Sequence, residues 1–189
     1  INGLTDFEHP CQALADLFTL REKRGTLRGL KLAYVGDGLN NVTHSLLDGC
    51  SKLGVHLSIA CPEGRGYVPS PRVLDRAAAF ARESGSRIEV SPDARRAVAG
   101  ADAVYTDTWM SYHIPADLAP ERTRVFGPYR VTRELMNLAR PGALFMHCLP
   151  ARRGSEVESE VIDGPSSAVF DQAENRLHTE KALLLKLLG

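Results

Sequence analysis

Residues 143–150, which read ALFMHCLP, decide how this chain is expected to fold and where its chemistry lies. The first four residues form an apolar run with the length and bulk of a buried strand, and Pro150 marks a point where a strand must end. His147 and Cys148 therefore stand at the carboxyl end of a predicted central strand, where open α/β sheets bind ligands. A free cysteine is often a small buried hydrophobe, so Cys148 alone leaves a structural role open.

The overall composition narrows the function classes. The chain has 189 residues, 43% of them hydrophobic, and 23 basic residues balance 23 acidic ones. This length allows one substantial core, and the balanced charge does not favour binding to nucleic acid or to a membrane surface. No apolar run has the length of a membrane span, and we expect no signal peptide. A cytoplasmic location is therefore predicted.

The four cysteines are scattered along the chain and form no C-x-x-C pair. We therefore expect reduced thiols rather than a disulfide framework. No Cys/His cluster has the spacing of metal ligands, so the sequence predicts neither a metal nor another cofactor. The cysteines are Cys11, Cys50, Cys61 and Cys148.

Predicted strands and helices alternate along the chain. The alternation is typical of a parallel sheet with helices on both faces, a doubly wound, Rossmann-like α/β fold with a linking helix at each end. The proline-containing stretch 112–128 is predicted to be a long loop, and residues 152–160 a polar surface segment. Strands are expected at 30–35, 55–61, 87–90, 103–106, 143–146 and 168–170, and helices at 10–24, 42–53, 73–84, 93–99 (capped by Ser91), 131–138 and 173–188.

Polar clusters fall where predicted strands end or helices begin. Because the carboxyl ends of parallel strands share one edge, Asn41, Asp107 and Cys148 are expected to converge on one crevice. Taken singly, each residue also has a structural interpretation, such as helix capping for Asn41 or turn formation for Asp107. The clusters are His9 with Gln12, Asn40 with Asn41, Asp107 with Ser111, His147 with Cys148, and the triplet Glu174-Asn175-Arg176.

Such a crevice suits an amine substrate and an anionic partner. Asp107 would hold an amine, and Asn41 would bind amino-acid backbone groups. His9 and Arg176 would bind an anion and polarise a carbonyl oxygen. The chain lacks a phosphate-binding P-loop motif, so the residues favour catalysis by positioning and electrostatics.

Five ordered motifs resemble those of the ornithine carbamoyltransferase family, within the aspartate/ornithine carbamoyltransferase superfamily. They are HPCQ (9–12), GDGLNN (36–41), TDTWMS (106–111), HCLP (147–150) and ENR (174–176). The resemblance implies transfer of the carbamoyl group of carbamoyl phosphate to an amine such as L-ornithine, giving citrulline or an analogue and phosphate. It also implies a homotrimer and a role in arginine biosynthesis.

The resemblance implies a two-domain subunit of which this chain is the second part. Residues 1–27, which begin without an initiator Met, are expected to link from a missing N-terminal carbamoyl phosphate domain. Residues 28–172 would form the ornithine or amino-acid-binding domain, and residues 173–189 a helix returning to the first domain. The Ser-Thr-Arg-Thr phosphate motif of that first domain is absent from the sequence, so most of the carbamoyl phosphate site should lie elsewhere.

Roles follow from the resemblance position by position. The catalytic set would be Cys148, Asp107, Arg176 and His9, with Cys148 beside the attacking amine and Arg176 on carbamoyl phosphate. Leu149 would offer its carbonyl to the carbamoyl amino group, across a candidate cis bond to Pro150. The substrate-binding set would be Gln12, Asn40, Asn41, Ser111, Tyr112, His147 and Leu149.

One segment departs from the family pattern. Ser111 is followed by Tyr112 and His113, where the family has Met-Gly. A stiffer loop and a changed pocket are expected, so the acceptor is predicted to be ornithine or an ornithine-like amine. The main alternative is a non-catalytic amino-acid-binding domain. The presence of the residues assigned to the carbamoyl side argues against it. A dinucleotide-binding domain fails because the turn is not G-x-G-x-x-G.

Overall fold

A five-stranded parallel sheet with strand order β3-β2-β1-β4-β5 forms the centre of the computed structural model, which describes residues 1–64, 66–112 and 114–189. The order reverses between β1 and β4, so a crevice opens between their carboxyl ends. The strands are β1 (Lys31–Val35), β2 (His56–Ala60), β3 (Ile88–Ser91), β4 (Ala103–Thr106) and β5 (Leu144–His147).

Helices cover both faces of the sheet, because alternate strand side chains point to opposite sides. Leu32 and Tyr34 pack with α1, α2 and α3, whereas Ala33 and Val35 pack with α4, α6 and α7. The predicted α/β class is therefore confirmed. The helices are α1 (Pro10–Arg24), α2 (Asn41–Leu53), α3 (Pro71–Ser84), α4 (Ala94–Val98), α5 (Ala119–Phe126), α6 (Arg133–Met136), α7 (Ser159–Ile162) and α8 (Val169–Leu188).

Local sequence determines how two helices start beside the crevice. α1 begins at Pro10, where the missing N–H costs nothing. α2 is capped by Asn40, whose side chain accepts a hydrogen bond from the Val42 N–H at 2.6 Å. Gly38 is needed in the turn before α2, because a Cβ there would lie 2.7 Å from the Tyr67 carbonyl oxygen. These starts bring His9 and Asn41 to the same edge of the sheet.

Several predictions of local structure are wrong. The strand before Cys148, expected to be central, is the edge strand β5. The predicted strand 168–170 is instead the beginning of α8, which starts at Val169 rather than at 173. The predicted loop 112–128 contains α5, with Pro120 in its first turn. Asp93, not Ser91, caps α4 by accepting from the Arg96 N–H. Glu156, expected on the surface, is fully buried.

Among the described residues, no helix is both long and apolar enough to cross a membrane.

Candidate active site

A cavity of about 410 Å³ opens at the carboxyl edge of β4 and β5. Its lining combines polar side chains from the sheet with others from α1 and α8, as the predicted convergence requires. Three other predicted residues, Gln12, Asn40 and His147, lie behind the lining. The predicted site residues that line the cavity are His9, Asn41, Asp107, Ser111, Tyr112, Cys148, Leu149 and Arg176.

Asp107 organises one side of the cavity. Its Oδ1 accepts from the Cys148 thiol at 3.0 Å and from the Thr108 N–H at 2.7 Å, and its Oδ2 accepts from Asn40 Nδ2 at 2.7 Å. A carboxylate has about four acceptor positions, so one remains for a donor such as an amine. Asn40 is thus both a helix cap and a partner of the site carboxylate, and its two interpretations are compatible.

Cys148 is held as a neutral thiol. Burial and the neighbouring Asp107 carboxylate raise the pKa of the Cys148 thiol well above its usual range. The thiol therefore donates to Asp107 and does not add a second negative charge beside a bound amine. This arrangement suits an orienting group better than a nucleophile, which would need the thiolate.

His147 shapes the turn behind the cavity. It is fully buried, and its Nδ1 accepts from the Leu149 N–H at 2.8 Å. Its Nε2 lies 3.4 Å from Oε1 of the buried Glu156, which also accepts from the Arg152 N–H. The Leu149-Pro150 bond is cis, as predicted. The His147–Glu156 pair supports the residues that face the cavity. Glu156 was missed because no local pattern marks it; its partner lies in another element.

His9 lies at the start of α1, on the other side of the cavity. Its Nδ1 is 2.8 Å from the Gly3 carbonyl oxygen, and a carbonyl can only accept, so Nδ1 carries a proton. Burial, followed by the charge of Arg176, lowers the pKa of His9. In the neutral ring Nε2 is consequently an acceptor, suited to an N–H donor of a ligand. Polarising a carbonyl oxygen would require the protonated ring.

Arg176 approaches the cavity from α8. Its guanidinium donates to Glu180 at 3.0 Å, while its Nε is buried without a hydrogen-bond partner among the described residues. Arg176 and His9 also line a neighbouring cavity of about 500 Å³. An anion bound between these cavities would meet a guanidinium group that still has donors to offer.

The loop after β4 closes a third side. Ser111 and Tyr112 line the cavity, and the exposed Tyr112 donates its hydroxyl to Asp6 Oδ1 at 2.9 Å. Arg122 of α5 holds this loop by donating to the Trp109 carbonyl at 2.5 Å and to the Asp37 carboxylate. His113, the second residue of the altered loop motif, lies outside the described residues. Sequence reasoning missed the Arg122–Asp37 pair, although Asp37 stands in the conspicuous glycine-rich turn.

Asn41 and Gln12 complete the set of predicted residues. Asn41 faces the cavity while its Nδ2 donates to the Thr5 carbonyl oxygen at 2.7 Å. Gln12 is buried in α1, and its Nε2 donates to Asp16 Oδ1 at 2.8 Å. The Gln12 Oε1 is buried without a hydrogen-bond partner in the part of the chain that the structure describes. It is therefore an acceptor in need of a donor.

One group of side chains has atoms close enough to share a cation. Ligand atoms of Asp107, His147 and Cys148 lie within 4.8 Å of one another. Within the protein, however, the thiol donates to Asp107 and the His147 Nδ1 accepts from Leu149. These contacts account for the cluster as a hydrogen-bonded unit.

The fold and this cavity define an α/β domain with a ligand-sized cavity at the reversal of strand order, where an amide, a carboxylate and a thiol meet. A family model described as "Aspartate/ornithine carbamoyltransferase, Asp/Orn binding domain" matches residues 28–187. The chain belongs to that carbamoyltransferase family, as the sequence motifs predict.

Known proteins resemble the chain over its whole length. Ornithine carbamoyltransferase from Symbiobacterium thermophilum is 57% identical over 100% of this chain and 60% of its own length. The crystal structure of ornithine carbamoyltransferase from Gloeobacter violaceus is 48% identical, with a TM-score of 0.91 over 100% of this chain and 62% of that chain. A mutant N-acetyl-L-ornithine transcarbamylase complexed with PALAO is 35% identical, with a TM-score of 0.82 over 94% and 56%. The chain thus spans about 60% of the length of the curated relatives it matches.

Proposed function

We propose that this chain is the acceptor-binding part of a carbamoyltransferase that transfers the carbamoyl group of carbamoyl phosphate to the side-chain amine of ornithine or a close analogue. The observation that carries the proposal is the Asn40–Asp107–Cys148 hydrogen-bonded unit at the cavity, faced by His9 and Arg176. Family membership supports the same reaction. A non-catalytic binding domain would have no use for a cation and an imidazole on the side opposite the carboxylate.

The proposed reaction begins with a neutral amine at the free acceptor position of Asp107. The nitrogen lone pair attacks the carbonyl carbon and forms the C–N bond. The C–O bond to phosphate then breaks, and its electron pair leaves with the phosphate, which takes the proton lost by the nitrogen. Arg176 meets the developing negative charge. Holding the two substrates in line supplies much of the rate, and Cys148 keeps the Asp107 carboxylate in orientation.

The rest of the carbamoyl phosphate site is proposed to belong to a preceding domain, linked through residues 1–27 and 173–189. Support comes from apolar side chains that α1 and α8 leave exposed, including Leu14, Leu184 and Leu187. Such side chains are suited to packing against another domain. We extend the proposal to a homotrimer and a cytoplasmic enzyme, on the strength of the family resemblance.

Tyr112 is proposed to shape the acceptor pocket. Its ring lines the cavity next to Ser111, and its hydroxyl is bonded to Asp6. A bulky phenol in the place of the family's methionine is expected to alter the space beside the α-end of the amino acid. A related structure is named as an N-acetyl-L-ornithine transcarbamylase. An acylated acceptor therefore belongs among the candidates.

The test is a carbamoyl transfer assay read by mass spectrometry, on the full-length protein that contains this chain. Carbamoyl phosphate would be offered with ornithine, N-acetylornithine, lysine, putrescine and aspartate. Citrulline formation is the expected outcome, with Tyr112→Met changing the ratio of kcat/KM for ornithine and N-acetylornithine about threefold. Tyr112→Phe, which keeps the ring, is the matched control. Binding of ornithine without any ureido product would favour the non-catalytic alternative.

A further inference from the structure

Asp16 is a fully buried carboxyl group that the proposed reaction does not use. It lies one turn after Gln12 on α1, and its Oδ1 accepts from Gln12 Nε2 at 2.8 Å and from Gln172 Nε2 at 2.6 Å. Because Gln172 belongs to α8, one oxygen joins the two terminal helices. Its Oδ2 is buried without a hydrogen-bond partner among the residues described. Burying a carboxyl group is costly, and an apolar side chain would pack the two helices at lower cost.

The contacts of Asp16 lead to both strand ends that form the cavity. Gln172 accepts from the N–H of His147, the last residue of β5, at 3.0 Å, and Cys148 follows directly. Gln172 Nε2 also donates to the Tyr105 hydroxyl oxygen of β4 at 3.1 Å. Asp16 is therefore linked through Gln172 to the residue before Cys148 and to Tyr105 on the neighbouring strand.

Asp16 also determines how the amide of Gln12 is oriented. A carboxylate oxygen only accepts, so it selects the NH₂ end of Gln12. The Gln12 Oε1 is then left as a buried acceptor without a partner in the described structure. If the amide were reversed, two oxygens would face each other. The Gln12 carbonyl oxygen is consequently presented as an acceptor for an N–H donor.

We propose that Asp16 is a positioning residue of the transfer site, which orients Gln12 to accept from the amino group of the carbamoyl moiety and holds the Cys148 segment through Gln172 and Tyr105. The proposal rests on the proposed function for its substrate. The geometry supports it by the two hydrogen bonds to one oxygen and by the unpartnered Gln12 carbonyl oxygen.

The protonation of Asp16 gives this role a measurable signature. Burial raises the pKa of Asp16 to about 7, against the opposing effect of its hydrogen bonds. The group is thus neutral below that pH and charged above it, and its charge in turn raises the pKa of the Cys148 thiol. The groups that face Asp16 from the packed elements are Gln12, Cys50, Tyr105, Asp107, Cys148 and Gln172.

The experiment compares Asp16→Asn with Asp171→Asn in the full-length protein. Asn keeps an oxygen for the two amides but cannot carry charge. Asp171 also ties α8 to α1, through an ion pair with Lys23 at 2.9 Å, and it does not line the cavity. Asp16→Asn is expected to lower kcat about tenfold, to remove an ionisation near pH 7 from the pH profile of kcat, and to speed alkylation of Cys148 about threefold at pH 8. Asp171→Asn should leave the pH profile of kcat and the alkylation rate unchanged.

The alkylation rate separates this inference from the proposed function. It is measured at Cys148 by peptide mass spectrometry and needs no turnover, so a protein without transfer activity still tests the link to Asp16. If Asp16→Asn does not fold, Gln172→Met takes its place in the experiment. This variant is also expected to change the alkylation rate of Cys148. A pH profile and a Cys148 alkylation rate that match those of Asp171→Asn would reduce Asp16 to a packing residue.

Discussion

The two sides of the cavity are built in different ways. On the side that we propose binds the acceptor, the acceptor side, Asp107 and Cys148 follow adjacent strands, and they hydrogen-bond to each other and to Asn40 within the domain. On the side proposed to bind carbamoyl phosphate, the donor side, His9 and Arg176 come from terminal helices, and the Arg176 side chain remains 39% exposed. The polar groups at the strand ends are thus held in place by one another, whereas the helical side still offers hydrogen-bond donors and open space to a ligand.

This difference follows from the elements involved. β4 is paired on both sides and the edge strand β5 is paired with β4, so the relative positions of Asp107 and Cys148 are determined by the register of these two strands. Helices α1 and α8 mostly contact each other and leave apolar side chains exposed. A site divided between a rigid sheet and two helices would keep the proposed acceptor pocket constant while the donor side adjusts to the proposed preceding domain. The predictions below test this division.

The largest effect is expected at Asp107. Asp107→Asn removes the charge that would hold the amine and should lower kcat/KM for ornithine about 1000-fold, with little change in the KM for carbamoyl phosphate. Steady-state kinetics of the full-length protein with each substrate varied provide the measurement. The control is Asp163→Asn, an exposed carboxylate paired with Arg153, which should be silent. A matching rise in both KM values would show that the two sides are not separate.

The protonation of Asp16, which lies behind the cavity, affects the stability of the fold. The folded-state pKa of about 7 exceeds the usual 3.8, so the native state binds more protons than the unfolded state between these values. Stability contributed by protonated Asp16 is therefore present below about pH 4 and is lost as pH rises to about 7, on the order of 4 kcal/mol.

Asp16→Asn should remove this loss of stability at higher pH. Chemical denaturation at pH 5 and pH 8 is expected to show the variant gaining stability relative to wild type at pH 8, even though its activity falls. Such an exchange of stability for activity is common at functional positions. If the free energy of unfolding of Asp16→Asn differed from that of wild type by the same amount at pH 5 and pH 8, Asp16 would not be protonated in the folded protein at pH 5.

The fold and the convergence of Asn41, Asp107 and Cys148 on one cavity could be predicted from sequence, because both depend on local signals. Apolar runs mark the strands, and the polar residues directly after β4 and β5 must meet at one edge whatever the loops do. The glycine-rich turn before α2 similarly identified Asn40 and Asn41. These inferences require only the order of elements, without any knowledge of distant contacts.

The errors arose where a residue's partner lies far along the chain. Pro120 suggested a loop, but a proline in a first helical turn is compatible with α5. The residues at 168–170 are apolar like a strand, yet α8 starts at Val169, and the Gln172 N–H bonds back to the Ala168 carbonyl oxygen at 2.8 Å. Glu156 and Asp16 are charged residues whose burial depends on His147 and Gln172, from other elements. Gln12 and Asp16 do share a helix face, a signal that was available.

Arg176 tests the donor side. Arg176→Gln keeps a hydrogen-bonding amide but removes the charge, and should lower kcat/KM for carbamoyl phosphate roughly 100-fold. The Kd for ornithine, measured by calorimetry without carbamoyl phosphate, should stay within about twofold, since the acceptor side is complete without Arg176. Arg153→Gln is the matched control. A large loss of ornithine affinity would contradict the division between the two sides.

The smallest activity change is expected at Cys148, although it stands at the centre of the acceptor side. Because its thiol pKa is raised well above the usual range, Cys148 acts as a neutral donor to Asp107, and a serine hydroxyl can replace that donor. Cys148→Ser should therefore lower kcat only about tenfold, with no covalent carbamoyl intermediate in either protein by intact mass spectrometry under turnover. Cys148→Ala, which cannot donate, should be clearly worse than Cys148→Ser. Equal loss in the two variants would indicate that the thiol acts through its sulfur rather than through its hydrogen bond.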